Sequence, residues 1–322
     1  TGLRVTNPLP HAREVFYFVK IWYRPARLLC NQQERKMHFD LMNAAGWAKT
    51  TERVRQLTKV PTISHIVMGS FTVLPRDGNT GGTNFKVGPD GTSVNSLGLP
   101  NGGLPYLERH GEEMVQAVYD AEKIPVISVA GFAPKEYGTL SVMAHKLKAV
   151  AELNIGCPNV HDGGHQKEII SYDFALLKRT LECVFEATSG PVWVKPSPYA
   201  NPADRERFVK LVEHFDGAID AIVGCNTFPN VSMYHANARP YLDVANNYAG
   251  MAGAALKWIN LSQCRFYSES FPDYEIIGVG GIRTPQDVLD YACVGCSGGQ
   301  IGTAFFESEN FRIFEEVASA FA

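Results

Sequence analysis

The sequence carries no excess of positive charge and contains no long apolar run. Its formal net charge is -3 at pH 7, whereas proteins that bind a nucleic-acid backbone present clustered Lys and Arg side chains. A membrane-spanning helix needs about 20 consecutive, predominantly apolar residues, and no stretch of this sequence approaches that length. We therefore expect neither a nucleic-acid partner nor a membrane partner.

Cysteine pairs are scarce as well. The 7 cysteines are scattered through apolar segments, and only Cys293 and Cys296 have C-x-x-C spacing. A single pair of this kind beside a glycine is more typical of a helix end than of a redox or metal site, and an iron–sulfur centre needs a fuller set of cysteines. With no signal peptide, the pattern predicts a reducing compartment, namely the cytoplasm, and no bound metal.

No repeat or low-complexity linker divides the 322 residues, and the chain is long enough to form one large barrel. Residues 1–36 stand apart, because an aromatic and apolar stretch with interspersed basic residues is interrupted there by Pro25. We interpret this N-terminal extension as an end plug or subunit contact rather than a membrane-surface helix. Residues 37–322 are expected to form a single domain.

From His38 onward, short apolar runs alternate with segments of helical periodicity. This alternation predicts a parallel sheet covered by helices, and eight strands are the number that closes a (β/α)8 TIM barrel of the α/β class. The segment Thr284-Pro285-Gln286-Asp287 combines a cap, a first-turn proline and an acidic residue, which predicts a helix start. The predicted strands are Phe39–Ala45, His65–Phe71, Pro125–Ala130, Ala151–Cys157, Val192–Lys195, Ala221–Asn226, Glu275–Val279 and Gly299–Thr303.

Three longer segments interrupt this series, namely Thr72–Ser93, Val160–Ser171 and Phe228–Tyr248. Long insertions after barrel strands usually build the rim of the active site. The middle segment contains two consecutive glycines together with His161 and His165, and we interpret it as a lid. A solvated polar loop is favoured there over a metal-binding histidine pair.

The segment Ala151–Val160 is the most distinctive in the chain. The predicted strand ends at a glycine and a proline, which brings Asn154, Cys157 and Asn159 to one mouth of the barrel. A carboxamide offers an acceptor and two donors, which suits the alternating N–H and C=O groups of a cyclic urea or imide, and a thiol between two amides can take a proton. The alternative is an ordinary buried cysteine beside asparagines that cap a turn.

Other predicted strands deliver small or polar residues to the same mouth. The first ends in Ala44-Ala45-Gly46, whose small side chains permit the close approach of a flat ring. The fifth ends in Lys195, which requires an anionic partner because an unpaired buried lysine is costly. The sixth is followed by Asn226-Thr227, a further amide with a hydroxyl.

Glycines follow the last two predicted strands, in Gly280-Gly281 and Gly302-Thr303. Backbone N–H groups freed by glycine turns at these two positions form a phosphate cradle in many barrels. Gly250 and Gly253 lie in a nearby turn and could add to it. Together these glycines predict a phosphorylated ligand.

Taken in order, these motifs resemble those of the dihydroorotate dehydrogenases, especially the soluble class with a cysteine base. The resemblance covers about residues 38–320, and it depends on the combination of motifs rather than on any one of them. The motifs are Asn95-Ser96-Leu97-Gly98-Leu99-Pro100-Asn101, Glu152-Leu153-Asn154, Cys157-Pro158-Asn159, Val194-Lys195, Asn226-Thr227, Gly280-Gly281 and Gly302-Thr303.

The resemblance implies an FMN-dependent oxidoreductase that oxidises dihydroorotate to orotate in pyrimidine biosynthesis. Cys157 would remove a proton from C5 of the substrate while a hydride leaves C6 for the flavin, and Lys195 would stabilise the reduced flavin. We also expect a soluble electron acceptor such as fumarate, and a homodimer. The implied substrate-binding residues are Asn95, Leu99, Asn154, Asn159, Asn226 and Thr227, and the implied cofactor-binding residues are Ala45, Gly46, Ser70, Lys195, Gly253, Gly280, Gly281, Gly302 and Thr303.

One position departs from the family pattern. The family usually has a lysine at the end of the second strand, which contacts the flavin and the substrate carboxylate, whereas this sequence has Gly69. Backbone N–H groups, or Lys86 or Arg76 from the rim, would then bind the carboxylate, and Gly69→Lys is expected to strengthen orotate binding. An uncharged dihydropyrimidine such as dihydrouracil is the close alternative substrate. A non-redox phosphate-binding lyase or isomerase that uses Lys195 as an amine is the alternative of another class.

Overall fold

The computed structural model describes residues 38–162, 165–244, 248–307 and 309–321. Parallel strands close into a barrel in which the last strand pairs with the first, so that Leu41 lies opposite Gly299. The predicted (β/α)8 TIM barrel is therefore confirmed. The barrel strands, first to eighth, are Asp40–Asn43, His65–Phe71, Ile124–Val129, Val150–Asn154, Val192–Lys195, Ala221–Val223, Glu275–Val279 and Gly298–Ile301.

Helices cover the outside of the barrel, and the strands are therefore buried on both faces. This double burial explains why the strands are nearly continuous apolar runs in the sequence. One apolar cluster includes Met42, Val67 and Val126, and a larger one joins other strand residues to the helices. The helices are Thr51–Thr58, Gly103–Asp120, Pro134–Lys146, Phe174–Ala187, Pro202–His214, Ala254–Ser270, Pro285–Cys293, Thr303–Phe306 and Arg312–Ala318.

The helix Pro285–Cys293 begins where the sequence predicts. The backbone N–H of Asp287 donates to Thr284 Oγ1 at 3.3 Å, and the carboxylate of Asp287 accepts from the backbone N–H of Thr284 at 2.7 Å. This reciprocal arrangement is a capping box, which satisfies backbone donors that a helix start otherwise leaves unpaired. The helix also contacts the glycine turn that follows the seventh strand, because Tyr291 Oη donates to Gly280 O at 2.8 Å.

Some predicted elements have different ends in the structure. The fourth and sixth barrel strands stop at Asn154 and Val223 rather than at Cys157 and Asn226. The backbone turns there, because the N–H of Asn226 donates to Pro196 O at 2.6 Å instead of continuing the ladder. Residues beyond these strands therefore lie across the barrel mouth. The final helix, predicted to begin after Ser308, spans Arg312–Ala318 and ends in a 3-10 turn, Ser319–Phe321.

Parts of the predicted insertions pair with one another above the barrel. Four antiparallel strands form a small sheet in which Asn95 lies opposite Gly250. The predicted lid contributes a separate short ribbon, His161–Asp162 against His165–Gln166. The insertions therefore form the rim of the barrel mouth. The strands of the rim sheet, in spatial order, are Phe228–Val231, Ala249–Gly253, Thr92–Asn95 and Phe85–Val87.

The predicted N-terminal extension, residues 1–36, lies outside the part of the chain that the structure describes. Within the described ranges, none of the helices is both long enough and apolar enough to span a bilayer.

Candidate active site

A cavity opens at the carboxyl ends of the barrel strands. It contains about 1090 Å³ of space free of protein atoms, its open mouth included, which suits a cofactor together with a small ligand. The catalytic, substrate-binding and cofactor-binding residues that the family resemblance implies all lie on its wall. These residues are Ala45, Gly46, Ser70, Asn95, Leu99, Asn154, Cys157, Asn159, Lys195, Asn226, Thr227, Gly253, Gly280, Gly281, Gly302 and Thr303.

The thiol of Cys157 lies on this wall, partly buried, just beyond the fourth barrel strand. Burial raises the pKa of the thiol above its ordinary value, because a thiolate loses solvation there. The backbone amide of Asn159 opposes this shift, as do the nearby cations Lys167, Lys49 and Arg76. The thiol is therefore mainly protonated at neutral pH, and the cations stabilise the thiolate once it forms.

Asparagines form hydrogen-bonded pairs on the cavity wall. Asn226 Nδ2 donates to Asn154 Oδ1 at 2.8 Å, and Asn154 Nδ2 donates to Ser70 Oγ at 3.0 Å. On the other side, Asn159 Nδ2 donates to Asn95 Oδ1 at 2.7 Å. A carboxamide has two N–H donors and two acceptor lone pairs, so each pair keeps groups for a ligand. The pairing fixes the amide planes, as recognition of a ring with alternating donors and acceptors requires.

The hydroxyl of Thr227 is a buried polar group that lacks a hydrogen-bond partner among the described residues. The residue lines the cavity. Leaving a buried hydroxyl unpaired costs about 1–3 kcal/mol, which favours a polar ligand group at this position. The residue itself is held in place, because its backbone N–H donates to Asn226 Oδ1 at 2.8 Å.

Asn79 supports the site, although the sequence analysis did not single it out. Its Nδ2 donates to the backbone oxygens of Asn159 at 2.8 Å and Ser96 at 3.1 Å, which joins the two segments that carry the Asn159–Asn95 pair. The nearby Arg76 Nε donates to Gly98 O at 3.0 Å. An asparagine within a glycine-rich insertion is an ordinary turn residue in sequence terms, so no signal distinguished it.

Lys195 has the buried anion that its position requires. Its Nζ lies 3.8 Å from Glu152 Oε1 and donates to Gln300 Oε1 at 2.5 Å. Gln300 Nε2 donates in turn to Glu152 Oε2 at 2.5 Å, and all three side chains are buried. The charge of Lys195 is therefore balanced within the barrel. The sequence analysis named no partner, although a single glutamate inside an apolar strand was an available signal.

Glycines surround the opposite end of the cavity. Gly280-Gly281 follows the seventh strand, Gly302-Thr303 follows the eighth, and Gly253 immediately precedes the helix Ala254–Ser270. The positive end of the dipole of that helix favours an anion, although its first two N–H groups already donate to Gly91 O at 3.1 Å and to Thr92 Oγ1 at 3.2 Å. Gly250 does not belong to this group, because it pairs in the rim sheet and is not on the cavity wall.

Gly69 cannot be replaced by a lysine without moving the backbone. Its φ is +109°, and a Cβ there would lie 2.5 Å from Ser128 O and 2.9 Å from Phe71 N. The expectation that Gly69→Lys would strengthen orotate binding is therefore wrong. Neither of the proposed substitutes, Lys86 and Arg76, is on the cavity wall. The wall instead includes Lys49, a cation that the sequence analysis missed because the residue precedes a helix outside any recognised motif.

The fold and the cavity define the class of protein, a TIM-barrel enzyme whose ligands bind at the carboxyl ends of its strands. A family model described as dihydroorotate dehydrogenase matches residues 30–321, and the chain therefore belongs to the dihydroorotate dehydrogenase family. Enzymes of this family are oxidoreductases that act on CH–CH donors, and they are flavoproteins.

Individual relatives are similar along most of their length. The dihydroorotate dehydrogenase (fumarate) of Saccharomyces mikatae is 33% identical over 283 residues, which is 86% of each chain. The protein of the same name from Saccharomyces bayanus is 34% identical over 283 residues, again 86% of each chain. The putative dihydroorotate dehydrogenase A (fumarate) of Streptococcus pyogenes serotype M1 is 29% identical over 282 residues, with 86% of each chain covered.

Proposed function

We propose that this protein oxidises dihydroorotate to orotate and that FMN is its cofactor. The observation that carries the proposal is the placement of Cys157 on the same cavity wall as the two asparagine pairs, with the glycine cradle in the same cavity. A thiol beside fixed amides suits proton removal from a pyrimidine ring. Family membership supports the reaction class.

The residues present fit FMN. Gly280-Gly281 and Gly302-Thr303 supply backbone donors for a phosphate group, and the N-terminal end of the helix Ala254–Ser270 adds the positive end of its dipole. Ala45 and Gly46 carry little or no side chain on the wall, and the φ of +123° at Gly46 favours glycine there, which leaves room for a flat ring. When bound, FMN supplies the hydride acceptor of the reaction.

Residues of the chain itself bind the substrate and accept its proton. Dihydroorotate loses two hydrogens, one as a proton to the thiolate of Cys157 and one as a hydride to the cofactor, so atoms and electrons balance. The asparagine pairs and the unpartnered hydroxyl of Thr227 bind the edge of the ring. Lys195, held by Glu152 and Gln300, places a positive charge on the wall where negative charge gathers.

The electron acceptor is proposed from the relatives. The names of the Saccharomyces and Streptococcus proteins specify fumarate, and we propose a soluble oxidant of this kind for the present chain. A homodimer and a cytoplasmic location remain predictions from the sequence.

The test is anaerobic reduction of the bound flavin. We expect dihydroorotate to bleach the visible flavin absorbance and dihydrouracil to leave it unchanged, and heat-released flavin to co-migrate with FMN on chromatography. Bleaching by dihydrouracil alone would replace the proposal with the uncharged-pyrimidine alternative. A purified protein that retains no flavin after saturation with FMN and gel filtration would favour the non-redox lyase or isomerase.

A further inference from the structure

Lys49 is a cation on the cavity wall that has no anionic partner among the residues that the structure describes. Its Nζ donates to the backbone oxygen of Pro100 at 2.7 Å, and no carboxylate of the described ranges lies within 4.0 Å of it. An ammonium group has three donors, so two remain available. A partly buried charge of this kind is costly unless an anion reaches it, which directs attention to the ligand.

The backbone holds Lys49 at this place from both sides. Before it, Ala48 bridges to the second barrel strand, and its carbonyl accepts from the N–H of Gly69 at 2.8 Å. After it, Thr50 caps the helix Thr51–Thr58 by accepting from the N–H of Arg53 at 3.3 Å. The lysine therefore leaves the backbone beside Gly69, a position where no side chain fits.

The contact of Lys49 also places it near the reacting region. Pro100 belongs to the loop that carries Asn95 and Leu99, and all of these residues line the cavity. The charges of Lys49 and the Cys157 thiolate influence each other. An anionic group of a ligand that reaches Lys49 would therefore lie on the thiol side of the cavity rather than beside the glycine cradle.

We infer that Lys49 binds the carboxylate of the substrate and product, in the place that Gly69 cannot serve. The inference rests on the proposed function, since the carboxylate is the group that distinguishes dihydroorotate and orotate from dihydrouracil and uracil. Lys49 is thus a residue that determines specificity for the acidic pyrimidine. Its positive charge and its remaining N–H donors suit a carboxylate, as a charge-assisted hydrogen bond.

The protonation of Lys49 agrees with this role. Burial lowers the pKa of Lys49 to about 8, Cys157 raises it, and Arg53 lowers it further. A bound carboxylate would favour the ammonium form, so binding near pH 8 takes up a proton. Lys167 requires a control in this measurement, because burial lowers its pKa to about 8 as well. Its Nζ donates to the backbone oxygen of Gly131 and lies 4.2 Å from the centre of the Phe132 ring.

The experiment compares orotate with methyl orotate, whose ester is neutral, by isothermal titration of the flavin-loaded protein. In Lys49→Met we expect orotate to bind about 10–100-fold more weakly, following the loss of a charge-assisted hydrogen bond, and methyl orotate to change by less than about threefold. The control Lys86→Met, on the exposed rim, should bind both compounds as the unmodified protein does.

Equal weakening of both compounds, or unchanged orotate affinity in Lys49→Met, would overturn the inference while leaving the proposed function intact. Failure of the unmodified protein to bind orotate or to be reduced by dihydroorotate would overturn both. Proton uptake on binding provides a second test, which does not depend on whether a Lys49 variant folds. Orotate binding to the unmodified protein and to Lys167→Met should take up a proton near pH 8, and methyl orotate should not. Equal uptake for the two compounds would contradict the assignment.

Discussion

Two lysines on the cavity wall differ in what balances their charge. Lys195 ends the fifth strand, is buried, and has both Glu152 and Gln300 as side-chain partners. Lys49 precedes the first helix, is partly buried, and has one backbone carbonyl as its hydrogen-bond partner. The charge of Lys195 is therefore balanced by a residue of the barrel, whereas the charge of Lys49 is balanced only when an anionic ligand binds.

The difference shows how to separate structural charges from ligand-binding charges in one cavity. A charge with an internal partner stabilises the fold only as a pair, since removing one member leaves the other buried and unpaired. A partly buried charge without a partner does not stabilise the fold, and it is available to a ligand. Cys157 is a comparable case, because its thiolate exists only during the reaction. The nearby cations therefore stabilise a charge that serves the reaction and not the fold.

The largest effect is expected at the reacting group. Cys157→Ala should slow flavin reduction by dihydroorotate about 10²–10⁴-fold, the usual contribution of a general base, while the flavin stays bound. Stopped-flow absorbance under anaerobic conditions measures the rate, and Cys293→Ala, at an exposed cysteine on the barrel exterior, is the matched control. Ser171, the last residue of the predicted lid, carries another hydroxyl that could be considered as a base, but this hydroxyl donates to Ile155 O at 2.9 Å and accepts from a backbone N–H. A near-normal rate in Cys157→Ala would remove the proton-accepting role from this thiol.

The next largest effect concerns Lys195, the lysine that has a buried carboxylate as its partner. Glu152→Gln should lower the free energy of unfolding by about 3–5 kcal/mol, because it leaves Lys195 buried without an anion. Lys49→Met should change the same quantity by less than about 1 kcal/mol, since it removes a charge that has no internal partner. Guanidinium unfolding of both variants with FMN at equal excess provides the comparison. If the two losses of stability were equal, the distinction between the lysines would fail.

The smallest effect is a pair of opposed pH dependences. Burial raises the pKa of Cys157, so the thiolate becomes more abundant as pH rises, and the reduction rate at saturating dihydroorotate should increase by up to about tenfold per unit from pH 7 to 9. The pKa of Lys49 is lowered to about 8, so its ammonium is lost above that pH and the KM should rise there. A rate independent of pH, or a KM that falls above pH 8, would contradict these assignments.

The barrel could be predicted from the sequence because its signals are local. Apolar runs of strand length, helical periodicity and glycine turns repeat in a fixed order, and a parallel barrel brings all its strand ends to one mouth. Asn154, Cys157, Lys195 and Asn226 were therefore placed together correctly without knowledge of any contact. The strand ends themselves were less accurate, since the turns at the mouth depend on hydrogen bonds to other strands.

The partners of these residues could not be predicted in the same way. The bond between Asn159 and Asn95 joins residues 64 positions apart, and the bond between Lys195 and Gln300 joins residues 105 positions apart. Such pairs depend on which side chains point across the barrel, which no local pattern records. The steric block at Gly69 has the same origin, because the atom in its way, Ser128 O, belongs to the neighbouring strand.

By itself, the sequence determined the barrel, the mouth at which chemistry occurs and the types of group collected there, because periodicity and turn residues act over a few positions. Tertiary structure alone decided which charges are balanced. It paired Lys195 with Glu152, left no room for a side chain at position 69 without a shift of the backbone, and brought Lys49 to the cavity wall that also carries the Cys157 thiol. The physical reason is that charge balance and steric exclusion act between atoms close in space, whatever their separation along the chain.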